Sequence, residues 1–376
     1  MSSVEQVNRL EKFAQSDPDN ISLANDLLNA CIAAGELDKG IELASNMPTS
    51  VRQDPKVAFA VGMLSMAKGN YEQAVSSFQI TYNSHPENVA VSYNYAYALF
   101  ASHEFEKASK TLLLVENQWR VLPTLKLLLA RCLHYLGELK TAIQHIEALV
   151  QVEPTNWEAK GLLSLLLLDD GQYEAADQVA NEVLGNDDKQ LDASIARSSA
   201  LISMKDIASA NDAVTKALEA HPTVGRLWSS KGQLDMLSLD FQKAISSLHQ
   251  ATKHMPDHIG TWHLLGWTQM MTDDLKSARG SFDKALQLNR NFGDTHGGLA
   301  VLSVFEGNLD SAKESMRRAL GLDSESMAGL YAKALILEKE GNVEESKVIM
   351  EKIMQSDTSK GAMAYLPMMK QMREMG

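Results

Sequence analysis

Apolar positions along this chain recur at two periods, one nested inside the other. The short period is helical. Between Ile259 and Phe292, Trp262, Leu265, Gly266 and Met270 share one helix face. Thr272-Asp273-Asp274 then makes a polar turn, and Leu275, Ala278, Phe282, Ala285 and Leu286 return to helical spacing. The long period is 34 residues, and its units open at Ile21, Pro55, Val89, Pro123, Trp157, Leu191, Gly225, Ile259, Gly293 and Met327. The twentieth place of the unit is small throughout, from Gly40 and Ala74 to Ala312 and Ser346. The eighth place is small in every unit after the first, as at Gly62, Ala96, Gly232 and Gly266. Small residues at a fixed period mean that two helices must approach closely in each unit. Gly35, Gly69, Gly137, Gly171, Gly307 and Gly341 share the turn place, where a helix that stops sharply needs a left-handed residue. Pro86, Pro154, Pro222 and Pro256 share the place where the second helix breaks. The pattern predicts an all-α solenoid of antiparallel helix pairs, each burying its apolar face only against its neighbours.

The segment Trp262-His263-Leu264-Leu265-Gly266, followed by Ala278-x-x-x-Phe282, resembles the tetratricopeptide repeat (TPR). About 340 of the 376 residues keep one register. Gln269 stands where that family favours tyrosine, and Leu28 and Gly40 make the first unit atypical. The resemblance implies a TPR superhelical solenoid, with first helices lining a concave face and second helices a convex one. The expected organisation is a half-repeat capping helix at 1–20, ten units forming one continuous solenoid over 21–360, and a capping helix at 361–376. In the N-terminal cap, Leu10 and Phe13 fall where Phe282 and Ala285 fall. The weakest joints are near Pro48 and at Gly185-Asn186-Asp187-Asp188, so a hinge near 185–190 competes with a plain irregular turn.

Charge and cysteine content narrow the function. A net charge of −13 argues against a phosphate-tracking nucleic-acid binder, which would need a basic stripe, so no nucleic-acid partner is expected. Cys31 and Cys132 lie three units apart, too far for a disulfide, and are expected as buried free thiols. The start of the chain shows no apolar signal segment, and the longest apolar run, Leu162–Leu168, is too short to span a bilayer. These features point to a cytoplasmic protein with no membrane insertion. His254 and His258 have helical ligand spacing, but Pro256 interrupts it, so no metal site is expected. No phosphate loop, nucleophile elbow or Cys-x-x-Cys pair occurs, which predicts no catalytic residues and no cofactor.

Each first helix also carries a second stripe, at the fifth, ninth and twelfth places of its unit, which the resemblance directs into the groove. A solvated groove should be polar there. Instead the stripe holds Phe59, Met63 and Met66; Tyr93, Tyr97 and Phe100; Leu127, Arg131 and His134; and Gly161, Leu165 and Leu168. Further on it holds His263, Trp267 and Met270 with Met271 beside them, then Gly297, Val301 and Val304 with Phe305 beside them. Methionine adapts to irregular apolar partners, and tyrosine and tryptophan are common binding anchors. Gly161 and Gly297-Gly298 would admit a ligand backbone. The bland alternative is that neighbouring first helices bury part of this stripe. TPR domains that hold acidic C-terminal tails use a lysine–asparagine clamp, and here only scattered matches such as Asn29, Asn94 and Arg226 survive. The expected function is a non-enzymatic adaptor or chaperone-like scaffold holding an apolar or aromatic segment of a partner protein or peptide. The alternative is a structural subunit bound through its convex face or ends, including a homo-oligomer formed through the methionine-rich C-terminal helix.

Overall fold

The computed structural model describes residues 3–120 and 122–355, and among them every regular element is helical. Two compact units divide between Asp170 and Gly171. The first holds α1 (Ser3–Ser16), α2 (Ile21–Ala34), α3 (Leu37–Asn46), α4 (Thr49–Arg52), α5 (Pro55–Ala67), α6 (Tyr71–Ser84), α7 (Val89–Ala101), α8 (Phe105–Leu113), α9 (Thr124–Tyr135), α10 (Leu139–Val152) and α11 (Trp157–Asp169). The second holds α12 (Tyr173–Leu184), α13 (Leu191–Ser203), α14 (Ile207–Ala220), α15 (Gly225–Leu237), α16 (Phe241–His254), α17 (Ile259–Met271), α18 (Leu275–Leu288), α19 (Gly293–Phe305), α20 (Leu309–Leu322), α21 (Met327–Lys339) and α22 (Val343–Gln355).

Local chemistry sets these boundaries. Asn20, Asn88 and Asn156 follow one another at two periods, and each side chain accepts a backbone N–H from the first turn of the helix it opens. Asp206, Asp240, Asp274 and Asn308 do the same for successive second helices. Each such cap contributes about 1 kcal/mol. Between the two helices of a unit the chain turns through one left-handed residue. Six of these are the glycines of the turn place, with φ between 72° and 86°. In the other four units His103, Lys205, Leu239 and Asp273 adopt φ of 60–61° at the same place. The geometry of the turn is therefore fixed by the fold, and glycine only makes it cheaper.

The small places carry the close approaches. A Cβ at Gly62 would stand 2.5 Å from the Phe78 ring, and one at Gly232 would stand 2.6 Å from Leu248 Cγ. Phe78 and Leu248 are fully buried in consequence. The first unit differs, with Leu28 buried at the eighth place and Gly40 making room for Leu64 at the twentieth. The N-terminal helix α1 packs on α2 through Val7, with Leu10 and Ala14 beside it. Phe13 is 55% exposed, a correction to its expected core place: the inward face of α1 runs through Val7, Leu10 and Ala14, and Phe13 falls outside it. Near Pro48 the linker folds into α4, which buries Val51. The expected C-terminal helix at 361–376 lies outside the described residues.

A second device ties four of the linkers to the helix that follows them. Ser92 Oγ donates to Pro86 O at 2.8 Å, Trp228 Nε1 to Pro222 O at 2.8 Å, and Trp262 Nε1 to Pro256 O at 2.7 Å. His296 Nε2 lies 2.9 Å from Arg290 O, which requires the proton on that nitrogen. All four side chains hold the fourth place of their unit, and all four carbonyls hold the thirty-second place of the unit before.

Candidate functional site

The stripe predicted for the groove divides sharply between the two compact units. In the first unit much of it reaches the surface. Phe59, Met63 and Met66 are half-buried on α5, with the Phe59 ring 5.4 Å from Phe78. On α7, Tyr93 is half-buried and Tyr97 is 45% exposed, their ring centroids 6.2 Å apart. Burial pushes the Tyr93 phenol above its ordinary pKa, opposed by a hydrogen bond with Thr124. Phe100, half-buried, meets Phe105 at 5.4 Å and Tyr135 at 5.6 Å. Phe105 and Tyr135 stack at 4.4 Å with only 7° between their planes, and Tyr135 is 63% exposed. His103 closes the cluster with its ring edge-on to Phe105 at 5.7 Å.

Polar groups border this aromatic patch. His134 Nε2 lies 2.7 Å from Asp169 Oδ2, and Arg131 reaches within 3.9 Å of Glu158. Leu127, Leu165 and Leu168 are buried, and so is Gly161. Tyr135 escaped the sequence reading, although it holds the thirteenth place, the one Met271 and Phe305 hold in their units. That shared place was the signal.

In the second unit the stripe is closed. Trp267 is 1% exposed, its ring edge-on to Phe282 at 5.8 Å. His263 is 6% exposed and lies 2.6 Å from Thr295 Oγ1, with Phe292 at 5.3 Å. Burial lowers its pKa to about 4, so the ring is neutral at physiological pH. Met270, Val301 and Val304 are core residues, and Met271 and Phe305 pack half-buried against the same cluster. The cause is visible at Gly297, where a Cβ would stand 2.5 Å from Ala328 Cβ and 2.6 Å from Gly329 N. The space expected for a ligand backbone is occupied by α21. A Cβ at Gly298 would likewise meet the Phe282 ring at 2.6 Å.

Elsewhere the chemistry is quiet. Cys31 and Cys132 are buried free thiols, and burial pushes the Cys132 pKa up to about 12. Among the described residues no group of three or more His, Cys, Asp or Glu could hold a metal ion. No helix among them is long and apolar enough to cross a membrane.

Comparison with known proteins agrees with this architecture. Family models described as tetratricopeptide repeat match residues 65–120, 127–190 and 294–326. The protein O-mannosyl-transferase TMTC1 of Homo sapiens is 27% identical over 157 residues, 40% of this chain but only 18% of that protein. The chain thus aligns with less than a fifth of that relative. The human IFIT1 dimer with m7Gppp-AAAA superposes with a TM-score of 0.57 at 15% identity, covering 89% of each chain. The APC/C hetero-tetramer Cut9-Hcn1 gives 0.54 at 12% identity, covering 93% of this chain and 76% of that one. Together with the 34-residue register, the family matches make this chain a tetratricopeptide-repeat protein. The repeats support a protein-interaction scaffold in general terms.

Proposed function

We propose that the protein is a non-catalytic adaptor that holds an apolar or aromatic segment of a partner protein on the first-helix face of its 1–170 unit. The observation that carries this reading is the patch of Tyr97, Phe100, Phe105 and Tyr135, in which two tyrosines stand 45% and 63% exposed over half-buried rings. Rigid aromatic side chains with a polar tip suit a contact that is apolar on one side and wet on the other. Each can cost about 2 kcal/mol or more in binding when truncated. Arg131 and His134 supply a polar rim, and Phe59, Met63 and Met66 extend the apolar surface toward the preceding repeat.

The ligand of IFIT1 is not carried over. This chain is acidic overall at −13, which opposes a phosphate-rich partner. Nor is the activity of TMTC1, since the alignment covers so little of it. The groups whose pKa is moved to an extreme, Cys132 and His263, are sealed in packing and face no cleft, which favours binding over chemistry. Two buried, unpaired thiols suit the reducing cytoplasm.

The test is affinity capture with wild type beside a Tyr97→Ala, Tyr135→Ala double variant, with circular dichroism confirming that both fold. A partner retained by wild type and lost by the variant supports the patch. Equal retention by both moves the interface to another surface.

A further inference from the structure

The crevices between successive second helices of the 171–376 unit differ in one telling way. A cavity of about 730 Å³ lies between α12 and α14, lined by Leu184, Asp188, Ser194, Arg197, Ala213 and Ala217 among others. A second, of about 630 Å³, lies between α18 and α20, lined by Leu286, Arg290, His296 and Leu322 among others. Leu184 and Leu286, Asp188 and Arg290, and Ser194 and His296 are each separated by three periods of 34 residues. The two crevices are therefore one feature of the repeat, seen twice, and the fourth place of the unit projects into it.

In the two units that lie between, the fourth place holds an indole. Trp228 and Trp262 each turn Nε1–H onto a linker carbonyl, at 2.8 Å to Pro222 O and 2.7 Å to Pro256 O. At His296 the imidazole makes the same bond to Arg290 O. At Ser194 the hydroxyl turns the other way and donates to Gln190 O at 2.9 Å. The carbonyl of Asp188, which corresponds to those of Pro222 and Pro256, thus lacks the side-chain donor that its counterparts have. The volume that an indole fills in the next two units is left open here.

We propose that the crevice between α12 and α14 is a binding site for a tryptophan side chain of a partner polypeptide. Leu184, Ala213 and Ala217 supply apolar walls for the flat ring system, and Asp188 O accepts its N–H, as Pro222 O and Pro256 O do within this chain. Arg197 lines the same cavity, its Nε held 3.3 Å from Asp177 Oδ1 and its side chain 31% exposed, so that the face of a guanidinium already fixed at its edge is what the indole would meet. A cavity of about 730 Å³ is larger than one side chain needs and lies within the range of roughly 300–1,000 Å³ common for ligand sites. The residues flanking the tryptophan enter with it, which is why the occupant is a polypeptide and not free indole. This site lies among the second helices of the other compact unit and does not rest on the aromatic patch described above.

The test is NMR of the full chain with alanine methyls labelled, using two probes. One is N-acetyl-tryptophanamide. The other is a set of seven-residue peptides with a single central tryptophan, each beside its alanine counterpart. The expected result is saturable shifts at the methyls of Ala213, Ala217 and Ala220, all of which line the crevice. The best peptide binds at least about tenfold tighter than the amide, a difference of about 1.4 kcal/mol. Ser194→Trp, which fills the crevice from within, abolishes the shifts. Ala220→Glu, at the partly exposed rim and outside the core cluster that Ala213 packs against, removes the shifts of Ala213 and Ala217, and it carries the test if S194W does not fold. Absence of shifts at millimolar probe, or shifts undiminished in the variants, overturns the site. An amide that binds as tightly as every peptide overturns the polypeptide occupant.

Discussion

Replacing Trp267 with alanine separates packing from binding at the residue where the two readings differ most. On sequence grounds Trp267 looked like a groove anchor. The structure leaves it 1% exposed, edge-on to Phe282 and inside the cluster that includes Val301, Ala332 and Leu335. A buried tryptophan removes about 200 Å² from water, worth roughly 5 kcal/mol at 25 cal/mol per Å². Partial collapse around the cavity brings the expected cost of Trp267→Ala to about 3–5 kcal/mol. A solenoid need not unfold in one step, so the assay must be local. Hydrogen exchange across α17–α21 should lose protection while the amides of α5–α9 stay unchanged, and urea should melt the 171–376 unit at a lower midpoint. Trp267→Phe should recover much of the loss. If Trp267→Ala costs under about 1 kcal/mol and instead abolishes capture of a partner, Trp267 is a contact residue and the burial argument fails.

Three further predictions test other links. Leu239 is 61% exposed with φ of 61°, so Leu239→Gly removes about 1–2 kcal/mol of left-handed strain against the extra entropy of a glycine; thermal melting should show a net gain of about 0.5–1 kcal/mol, and a loss refutes the strain. Gly62→Ala forces a methyl to within 2.5 Å of the buried Phe78 ring and should cost about 1–3 kcal/mol in urea unfolding, whereas a neutral result would show that α5 and α6 separate freely. Burial lowers the His263 pKa from 6.5 to about 4, so the unfolded chain binds more protons between those values and stability falls as pH drops through that window. The loss reaches about 3 kcal/mol at pH 4 and below, and is absent above pH 6.5; His263→Gln should flatten this part of the urea-midpoint profile, and an unchanged profile assigns the acid sensitivity elsewhere.

The helix pairs and their boundaries were readable because each unit repeats the same demands. Small residues at the eighth and twentieth places, glycine at the turn and proline at the break are local signals, and the units in register reinforce one another. The turn at Leu239 shows how far register alone reaches: nothing in leucine suggests a left-handed residue, yet its place in the period does. The stripe was less legible. Tyr97 and Trp267 hold the same place of their units, and one is exposed while the other is buried. What decides is the distance between successive first helices, and that depends on residues in the next unit. Gly297 lets α19 and α21 close, and no rule of periodicity within one helix contains that information. Tyr135 was missed for a simpler reason, since the thirteenth place was read where it held Met271 and Phe305 but not one unit after Phe100.

A repeat array also changes what a departure from pattern means. In a single-core domain, a serine in place of a tryptophan leaves a cavity that the whole core must absorb, at a cost that grows with its volume. In a solenoid each unit leans only on its neighbours, so one unit can leave a crevice open while the units around it keep theirs filled. Ser194 sits three periods before His296 and one before Trp228, among residues that otherwise keep the register. The same logic applies to Tyr97 and Tyr135. Their exposure costs the 1–170 unit little, because Ala96, Leu99, Ala130 and Leu133 beside them already supply its buried faces. Stability in this protein resides in what the units share, and both proposed binding places are ones where one unit differs from the next. Filling Ser194 with tryptophan and truncating Tyr97 and Tyr135 therefore probe the same principle from opposite directions: the first should raise stability and remove a site, the second should remove a site and leave stability within about 1 kcal/mol.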